Sequence, residues 1–320
     1  MIIKLLEPLR VSDSYIEELS QPLKDAGHEF VYYNEKTTDP AELAERSKDA
    51  DIVIIANNPY PKEAFENAEN LKLIDVAFTG INHVDTDAAK AQGIQVANAA
   101  GYSKHSVPEL SLTMALALYR HIIQSDADTR KGEDFEAPIQ GREIAGSTVG
   151  IAGLGDLGAR TARLYKALGA NVIAYNRSEK PELAEEIGLE QVSLDELAER
   201  SDIISVHLAQ TPETENVIGK DFISKMKNDA VLINIARGPI VDSQALADAL
   251  NNDEIGGAGI DVFEVEPPIP ADHPLLNSKN TVLAPHIGFL TDEAMVDRAE
   301  IVFENAKAFI DGNPQNIMDI

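Results

Sequence analysis

The order of apolar and polar positions along the chain predicts short strands that alternate with helices. Within the first hundred residues, runs rich in β-branched and other apolar residues alternate with helical stretches. The predicted strands are 2–6, 30–33, 52–56, 71–77 and 94–97, and the predicted helices are 13–26, 40–47 and 85–92. This βαβ rhythm is typical of a parallel sheet. The pattern therefore predicts a complete small parallel-sheet domain over residues 1–100.

A boundary follows at Ala99-Ala100-Gly101, and a helix is predicted to start directly after it. Ser106 and Glu109 have the spacing of a capping box, and Pro108 would sit in the first turn. The continuation over 110–119 is apolar on nearly every face, so it must be covered on more than one side. Burial between domains or in a dimer interface would provide that cover. The stretch 131–141 is predicted to be an exposed loop.

The alternation of strands and helices resumes in the second half of the chain. An apolar run over 149–160 breaks into glycines and then turns helical, which predicts a strand, a tight turn and a helix. Further predicted strands are 172–175, 203–207, 231–235, 257–260 and 281–284. Asp242 can cap a helix over 244–250, and Thr291 can cap a final helix that runs toward residue 310. That last helix follows the final strand, which lets the chain return to the first domain.

The predicted fold class is therefore α/β, with two Rossmann-like parallel-sheet domains. The smaller, flavodoxin-like domain is expected over 1–100 and 289–320, and the larger one over 101–288.

Glycines at three positions of the second domain fit a dinucleotide-binding fingerprint. Gly153, Gly155 and Gly158 match G-x-G-x-x-G, in which the glycines allow the turn, the approach of a pyrophosphate and close packing of helix and strand. The helix that begins near Asp156 would aim its N–H groups at the phosphates. Alone the pattern is weak, because glycine-rich strand ends also occur in chains that bind no nucleotide.

Length and composition narrow the class of protein. The 320 residues exceed what one hydrophobic core usually holds, and 44% hydrophobic residues are ordinary for a globular protein. The absence of cysteine excludes disulfides, thiolate ligands and thiol nucleophiles, and no metal site is predicted. The first residues lack the apolar core of a signal peptide, and 110–119 is too short to span a bilayer. We therefore expect a soluble cytoplasmic protein.

The chain carries a formal charge of -27, from 54 acidic and 27 basic residues. This charge would repel nucleic acid phosphates and anionic membranes, so neither is expected as a partner. It would also repel a small anionic substrate, so a site for one must concentrate cations locally.

Three residues at predicted strand ends of the second domain suggest a chemistry. Arg237, Glu266 and His286 should face the same edge of the sheet. An arginine can hold a carboxylate bidentately, a histidine can exchange a proton near neutral pH, and a neighbouring glutamate would orient the imidazole. Together they suit reduction of a 2-oxo acid by a nicotinamide, with His286 as acid and base. Taken singly, each could be a surface arginine, a solvated loop acid or a structural histidine.

Two loops of the first domain follow predicted strands and are candidate substrate contacts. They contain Asn57-Asn58-Pro59 and Thr79-Gly80-Ile81-Asn82. In open parallel sheets, ligands bind outside the carboxyl ends of the strands. For Asn57 and Asn58 alone, ordinary turn residues are the better interpretation.

The sequence resembles the D-isomer-specific 2-hydroxyacid dehydrogenase family over essentially its whole length. The matching segments are G-L-G-D-L-G at 153–158, H-L-A-Q-T-P-E-T at 207–214, N-I-A-R-G-P-I-V-D at 234–242, G-I-D-V-F-E-V-E-P at 259–267 and P-H-I-G at 285–288. The resemblance implies a catalytic set of Arg237, Glu266 and His286. It also implies a homodimer formed through the cofactor domains and closure of the domains around a substrate cleft.

The resemblance further implies which residues would contact the ligands. Asp261 would lie near the nicotinamide carboxamide, and the backbone N–H groups of Thr79, Gly80 and Ile81 would face the substrate carboxylate. Asn57, Arg237, His286 and Phe289 complete the predicted substrate set. The other predicted cofactor contacts within the matching segments are Asp156, Leu157, His207, Ala209, Pro212, Ile235, Ala236 and Gly288.

Departures from the family pattern bear on cofactor and substrate. The position that would hold an acid for the ribose of NAD reads Tyr175-Asn176-Arg177-Ser178, with no Asp or Glu. Asn176 removes the repulsion toward a 2′-phosphate, and Arg177 and Ser178 could bind one, which predicts a preference for NADP over NAD. The alternative is a mere surface turn in a protein that uses NAD.

Three further positions differ from the family pattern. Asp156 stands where the family often has a basic residue, and its side chain is expected to point outward. The segment after His207 lacks a common proline, and Phe289 replaces a small residue, where it could line the substrate pocket.

The sequence thus predicts an NADP-preferring 2-oxoacid reductase, a D-2-hydroxyacid dehydrogenase that acts on glyoxylate, hydroxypyruvate or a related small acid. Two alternatives remain open. One is an enzyme like formate dehydrogenase, although its chemistry needs no general acid and its usual glutamine is here Glu266. The other is a dinucleotide-sensing binding protein or corepressor of the same fold.

Overall fold

The structure is a computed structural model, and it describes residues 1–66, 68–132, 139–265 and 268–320. The chain divides into two compact units: the first contains Met1–Ser103 and Leu290–Ile320, and the second contains Lys104–Phe289. The sequence analysis placed these divisions after residues 100 and 288. Phe289 stays with the second unit, where its ring packs against the ring of His286.

The first unit contains a five-stranded parallel sheet. Its strands are β1 (Ile2–Leu5), β2 (Glu29–Tyr32), β3 (Ile52–Ile55), β4 (Leu73–Val76) and β5 (Gln95–Asn98). They are ordered β2-β1-β3-β4-β5. Every residue of the central β3 and β4 is buried, as in parallel sheets covered on both faces. Three helices of this unit are α1 (Asp13–Asp25), α2 (Pro40–Ser47) and α3 (Thr86–Ala91).

The second unit contains helices of very different length. They are α4 (Ser106–Tyr119), α5 (Ile122–Lys131), α6 (Asp156–Ala167), α7 (Pro181–Ile187), α8 (Leu194–Arg200), α9 (Lys220–Ile223) and α10 (Ser243–Asn251). As predicted, Asp242 caps α10, since its side chain accepts a hydrogen bond from the N–H of Ala245. The sequence analysis missed α5, α7, α8 and α9. Of the predicted loop 131–141, Lys131 ends α5, 139–141 are exposed, and 133–138 lie outside the described residues.

The sheet of the second unit has seven parallel strands. They are β6 (Thr148–Ala152), β7 (Asn171–Tyr175), β8 (Glu190–Gln191), β9 (Ile203–Val206), β10 (Val231–Asn234), β11 (Gly257–Ile260) and β12 (Thr281–Leu283). The order is β12-β11-β10-β9-β6-β7-β8. Because the order of connection reverses between β6 and β9, the crevice at their carboxyl ends is the place where such sheets bind dinucleotides.

The two faces of this sheet bury separate apolar cores, because successive side chains of a strand point to opposite faces. Ile204, Leu232 and Ile260 belong to one core. Val231 and Ile233 belong to the other, together with Met114 of α4. The alternation explains the near-continuous apolar runs of the sequence here, since both faces are covered.

Helix α4 begins differently from the prediction. The capping box is wrong: the helix already includes Ser106, and His105 is the N-cap, with no side-chain capping hydrogen bond. The backbone of His105 is itself helical, with a φ of -103° and a ψ of -47°, so the helix extends back past the predicted capping residue. Pro108 lies in the first turn, as expected. One face of the helix is open in the single chain, since Leu116 is 39% exposed.

The final helix, α11 (Asp292–Ile310), returns to the first unit. Thr291 caps it as predicted, since its hydroxyl accepts from the N–H of Ala294. The buried Asn305 of this helix donates from Nδ2 to Asp75 Oδ1 and to the carbonyl of Asn98, each at 3.0 Å. The C-terminal segment then forms a bridge from Ile317 to Ala97.

Within the described ranges, no helix combines the length and the hydropathy needed to cross a bilayer.

Candidate active site

The glycine turn after β6 is shaped by close backbone contacts. Gly153 has a φ of +104°, and a side chain there would lie 2.7 Å from the carbonyl carbon of His207. A side chain at Gly158 would collide with the carbonyl oxygen of Gly153. Gly155, by contrast, faces open space. Two glycines are therefore required by the fold itself, and the third leaves an approach to the backbone free.

The N-terminus of α6 fits the pyrophosphate of a dinucleotide. Gly155 is the N-cap and has no capping side chain, and the first four N–H groups of a helix have no partner within it. These are the N–H groups of residues 155–158, which include Leu157. Such groups form a natural anion site. Asp156 points outward as expected, since it is exposed and its Oδ2 lies 3.3 Å from Nε of Arg160.

The turn after β7 is held by the side chain of Asn176. Its Oδ1 accepts from the N–H of Leu154 at 3.0 Å, and its Nδ2 donates to the carbonyl of Ser178 at 2.8 Å. Asn176 therefore ties this turn to the glycine turn, while Arg177 and Ser178 are exposed. The pKa of Glu213 is lowered, chiefly by a hydrogen bond with Thr211 and also by the positive charge of Arg177.

His207 follows β9 at the point where the strand order reverses. Its N–H donates to the carbonyl of Ala152 at 2.7 Å, and its Nε2 lies 2.9 Å from Oγ of Ser205. Burial lowers the pKa of His207 to about 3, so the ring is neutral at physiological pH. In the loop that follows, Thr214 Oγ1 donates to the carbonyl of Ala209 at 2.7 Å, and Pro212 is exposed.

Arg237 is positioned by its neighbours in the loop after β10. The buried Asn234 donates from Nδ2 to the carbonyl of Arg237 at 3.0 Å and accepts from the N–H of Ala236 at 3.1 Å. A side chain at Gly238 would collide with the backbone of Phe263, so this loop runs directly against the segment after β11. Arg237 is half-buried, and its Nη1 donates to the carbonyl of Ala236 at 2.7 Å.

Asp261 fixes the loop that carries His286. Its two carboxylate oxygens accept from the N–H groups of Ile287 at 2.7 Å and Gly288 at 2.8 Å, and its carbonyl accepts from the N–H of His286 at 2.7 Å. His286 is thereby held in the left-handed region, at a φ of +57°. The sequence analysis expected Asp261 only beside the nicotinamide and missed this role.

The backbone hydrogen bonds between neighbouring strands continue beyond the strand ends. The N–H of Asp261 donates to the carbonyl of Asn234 at 3.0 Å, in line with the bond from His286 to Asp261. The loops of Arg237, Asp261 and His286 therefore leave the same edge of the sheet side by side. Ile235, at the start of the Arg237 loop, is buried.

An aromatic ring lies beside His286. Phe289 packs edge-on against the imidazole, with 5.6 Å between ring centroids. Glu266, the predicted partner of His286, lies outside the described residues. The segment leading to it is anchored by Glu264, whose Oε2 lies 2.9 Å from Nε2 of His273.

The predicted substrate loops of the first unit also lie at the carboxyl edge of their sheet. The N–H groups of Thr79, Gly80 and Ile81 donate no hydrogen bond within the part of the chain that the structure describes. Asn57 is exposed, and its Oδ1 accepts from Nζ of Lys36 at 2.8 Å. Free N–H groups in succession can hold a carboxylate.

A buried carboxylate that the sequence analysis missed supports the Asn57 loop. Oε1 of Glu7, after β1, accepts from the N–H groups of Ala56 and Asn58, each at 2.7 Å. Burial raises the pKa of Glu7, and these backbone hydrogen bonds oppose the rise. An acidic residue directly after a strand was the only signal in the sequence. Asn58 is fully buried, and both polar atoms of its amide have no partner among the described residues.

The arrangement supports binding of a dinucleotide and proton transfer to a small acid. The second unit joins a helix N-terminus, a cation and a histidine at one sheet edge, which are the groups needed to bind phosphates, orient a carboxylate and transfer a proton. Among the described residues, no cluster of histidine and acidic side chains could hold a metal ion.

Comparison with known proteins gives a family for this arrangement. Residues 112–288 match the family model described as "D-isomer specific 2-hydroxyacid dehydrogenase, NAD binding domain". The chain is 35% identical over 305 residues to hydroxypyruvate reductase of Blautia hydrogenotrophica. The aligned region covers 93% of this chain and 94% of the relative.

Two solved structures are similar over nearly the whole chain. One is an acyclic imino acid reductase, Bsp5, in complex with NADPH and D-Arg, with a TM-score of 0.87, 29% identity and 100% of both chains covered. The other is D-lactate dehydrogenase of Aquifex aeolicus with NAD and lactic acid, with a TM-score of 0.81, 29% identity, and 98% and 96% of the two chains covered.

Proposed function

The chain belongs to the D-isomer specific 2-hydroxyacid dehydrogenase family, and from that premise we propose its substrate class, its preferred cofactor and the roles of its residues. It is an oxidoreductase that acts on the CH–OH group of 2-hydroxy acids with a nicotinamide dinucleotide. The substrate that we propose is a small 2-oxo acid such as glyoxylate or hydroxypyruvate.

The observation that carries the proposal is the edge of the second sheet, where hydrogen bonds hold the loops of Arg237 and His286 on either side of the segment that begins at Asp261. In the proposed reaction, Arg237 binds the substrate carboxylate and polarises the carbonyl, and His286 protonates the developing alkoxide. The dinucleotide, when bound, supplies the hydride that C2 receives. Glu266 keeps its predicted role as the partner of His286.

The proposed reaction is tested by loss of NADPH absorbance with a panel of 2-oxo acids. His286→Gln should lower kcat about 10²- to 10⁴-fold, because it removes the acid. Arg237→Ala should abolish turnover, and Arg237→Lys should restore only part of it, because lysine cannot bind a carboxylate bidentately. Activity unchanged in His286→Gln and Arg237→Ala would contradict the mechanism. Failure of every acid in the panel would favour a dinucleotide-binding protein without turnover.

We propose that the cofactor is NADP rather than NAD. The turn after β7 contains no acidic residue. Both polar atoms of the Asn176 side-chain amide are already hydrogen-bonded to backbone groups. A 2′-phosphate would therefore meet the exposed Arg177 and Ser178 instead of a carboxylate. The imino acid reductase and the lactate dehydrogenase compared above were solved with NADPH and NAD respectively, so the local residues must decide.

Arg177→Ala tests this preference. The variant should raise the Kd for NADPH about tenfold or more and leave the Kd for NADH unchanged, because a charge-assisted hydrogen bond to the 2′-phosphate is lost. Arg163→Ala is the matched control, since Arg163 is an arginine of α6 that pairs with Glu186 on α7. A wild-type kcat/KM for NADH equal to or better than that for NADPH would overturn the proposal.

We also propose a homodimer formed through the second unit. Leu116 of α4 and Ile122 and Ile123 of α5 are 39%, 53% and 59% exposed in the single chain. Clustered apolar side chains of this kind are typical of interfaces. Ile123→Glu should give monomers in a solution mass measurement, and Leu168→Glu, at another exposed leucine of the same unit, should not. The cytoplasmic location stays a prediction.

A further inference from the structure

Four side chains form a continuous row of hydrogen bonds from His207 into the interior of the second unit. Nε2 of His207 lies 2.9 Å from Oγ of Ser205, which lies 2.8 Å from Oγ of Ser111. Oγ of Ser111 lies 3.2 Å from the hydroxyl of Tyr165, and that hydroxyl lies 3.2 Å from the carbonyl of Ser111. Ser111, Ser205 and Tyr165 have no exposed surface.

With a separate hydrogen in each contact, a count of hydrogens fixes the direction of this row. Each of the four contacts needs one hydrogen, and the three hydroxyls supply three. The carbonyl of Ser111 can only accept, so Tyr165 donates to it. Ser111 then donates to Tyr165, and Ser205 donates to Ser111. The fourth hydrogen must come from Nε2 of His207.

The ring of His207 is therefore the Nε2–H tautomer, and its Nδ1 carries a lone pair. The depressed pKa of His207 agrees with a ring that holds a single proton. Among the residues that the structure describes, Nδ1 has no hydrogen-bonding partner. The row thus presents a hydrogen-bond acceptor whose partner is not in the described chain.

This acceptor lies at the place expected for the dinucleotide. His207 is half-buried and directly follows β9, next to the glycine turn of β6, where the strand order reverses. A dinucleotide crosses the sheet at this point, and β9 begins the half that holds the second mononucleotide. Phosphates offer only acceptors to Nδ1, whereas the ribose of the nicotinamide nucleotide offers hydroxyl donors.

We propose that Nδ1 of His207 accepts a hydrogen bond from a hydroxyl of the nicotinamide-side ribose, and that Ser205, Ser111 and Tyr165 are positioning residues that fix the tautomer. This inference rests on the dinucleotide site of the proposed function. It assigns a task to three buried hydroxyls that the reaction itself does not use.

The test is ¹⁵N NMR of the histidine rings, together with binding measurements. In the free protein, Nε2 of His207 should carry the proton and Nδ1 should not. Addition of NADPH or of reduced nicotinamide mononucleotide should shift the Nδ1 resonance, and AMP should not. A protonated Nδ1 in the free protein would overturn the proposal.

Two variants separate the tautomer from general damage to the fold. Ser205→Ala should populate the Nδ1–H tautomer of His207. It should raise the Kd for NADPH and for nicotinamide mononucleotide about three- to tenfold and leave the Kd for AMP unchanged. Tyr165→Phe removes one oxygen at the far end of the row and should mix the tautomers, because two serine hydrogens then satisfy the two remaining contacts. Ser205→Thr keeps the hydroxyl and should restore both the tautomer and the affinity.

The outcomes distinguish this inference from the proposed function. NADPH that binds the wild type and leaves the Nδ1 resonance unshifted overturns the inference alone. Wild-type affinity for nicotinamide mononucleotide in Ser205→Ala does the same. A wild type that binds neither NADPH nor NADH overturns both.

Discussion

The carboxyl edges of the two sheets differ in how completely their buried side-chain polar atoms are paired. In the second unit, both oxygens of Asp261 accept backbone N–H groups. In the first unit, both amide atoms of Asn58 and Nε2 of His83 are buried without a partner. Every buried side-chain nitrogen or oxygen without a partner, among the described residues, belongs to the first unit.

This difference matches the proposed tasks of the two edges. A buried polar atom without a partner costs about 1–3 kcal/mol, so a fold keeps one chiefly where a ligand or a water meets it. The second unit would bind a cofactor of constant structure, and the buried side-chain polar atoms among its described residues are all paired in advance. The first unit would meet the substrate, and its edge retains unused hydrogen-bonding capacity.

Asp261→Asn should produce the largest loss of stability at the carboxyl edge of the second sheet. The amide keeps one acceptor and turns its NH₂ group toward a backbone N–H, so we expect about 3 kcal/mol less free energy of unfolding. Urea unfolding measures the loss. Asp242→Asn is the matched control, because asparagine caps a helix as well as aspartate does. Equal losses in the two variants would contradict a special role for the Asp261 contacts.

Gly158→Ala and Gly155→Ala divide the fingerprint into its structural and its binding part. A methyl at Gly158 meets the carbonyl of Gly153 and should cost about 2–3 kcal/mol of stability. A methyl at Gly155 meets open space, so it should cost under about 1 kcal/mol yet weaken dinucleotide binding about tenfold or more, because it blocks the pyrophosphate. Thermal unfolding and NADPH titration separate the effects. Normal binding by Gly155→Ala would show that the phosphate lies elsewhere.

The two units should respond to mild acid with opposite signs. Burial holds the pKa of His207 at about 3, against 6.5 when unfolded. The unfolded chain therefore binds the proton first, and the second unit loses up to about 2 kcal/mol as the pH falls from 6.5 to 5. Burial raises the pKa of Asp75 well above 3.8, so the folded first unit binds its proton first and gains stability over the same fall.

Hydrogen exchange at pH 6.5 and 5, corrected for intrinsic exchange, measures the two responses separately. Amides of β9 should lose protection and amides of β4 should gain it. His207→Gln should flatten the first response, and Asp75→Asn the second. Parallel changes in both units would refute the assignment of the two groups.

Asn58→Leu should have the smallest effect on stability. The side chains branch alike, and removal of an unpaired amide is close to neutral, so we expect a change under about 1 kcal/mol. Asn305→Leu is the contrasting variant, since its amide is paired with Asp75 and Asn98 and its removal should cost more. A loss of about 2 kcal/mol or more in Asn58→Leu would mean that a water already pairs the amide.

The sequence predicted the order of strands and helices well where apolar runs were long. The strand 257–260 and the helix 40–47 have the predicted limits, because glycine, proline and aspartate mark their ends. Helices α7 and α8 were missed, since short polar helices depend on packing more than on periodicity. The start of α4 was misplaced because capping-box spacing does not reveal which residue turns helical first.

The site could be predicted as a set of residue types but not as a network. Their places at strand ends and the family resemblance led to Arg237 and His286, whose catalytic roles stay predictions, and the glycine pattern predicted the turn after β6. The clamp of Asp261 on the His286 loop could not be predicted, because it joins residues 26 and 27 positions apart through backbone groups that any residue carries. The pairing of Ser205 with Ser111 depends likewise on which faces of strand and helix meet.

The return of α11 to the first unit has a consequence for synthesis on the ribosome. Domains usually fold in the order in which they emerge. Here the second unit is contiguous, so it can finish while the first still waits for Asn305 to reach the buried Asp75 and Asn98. The N-terminal sheet is therefore the last part of the nascent chain to close, and a stop codon shortly before residue 292 would release a protein with a complete second unit and an open first one.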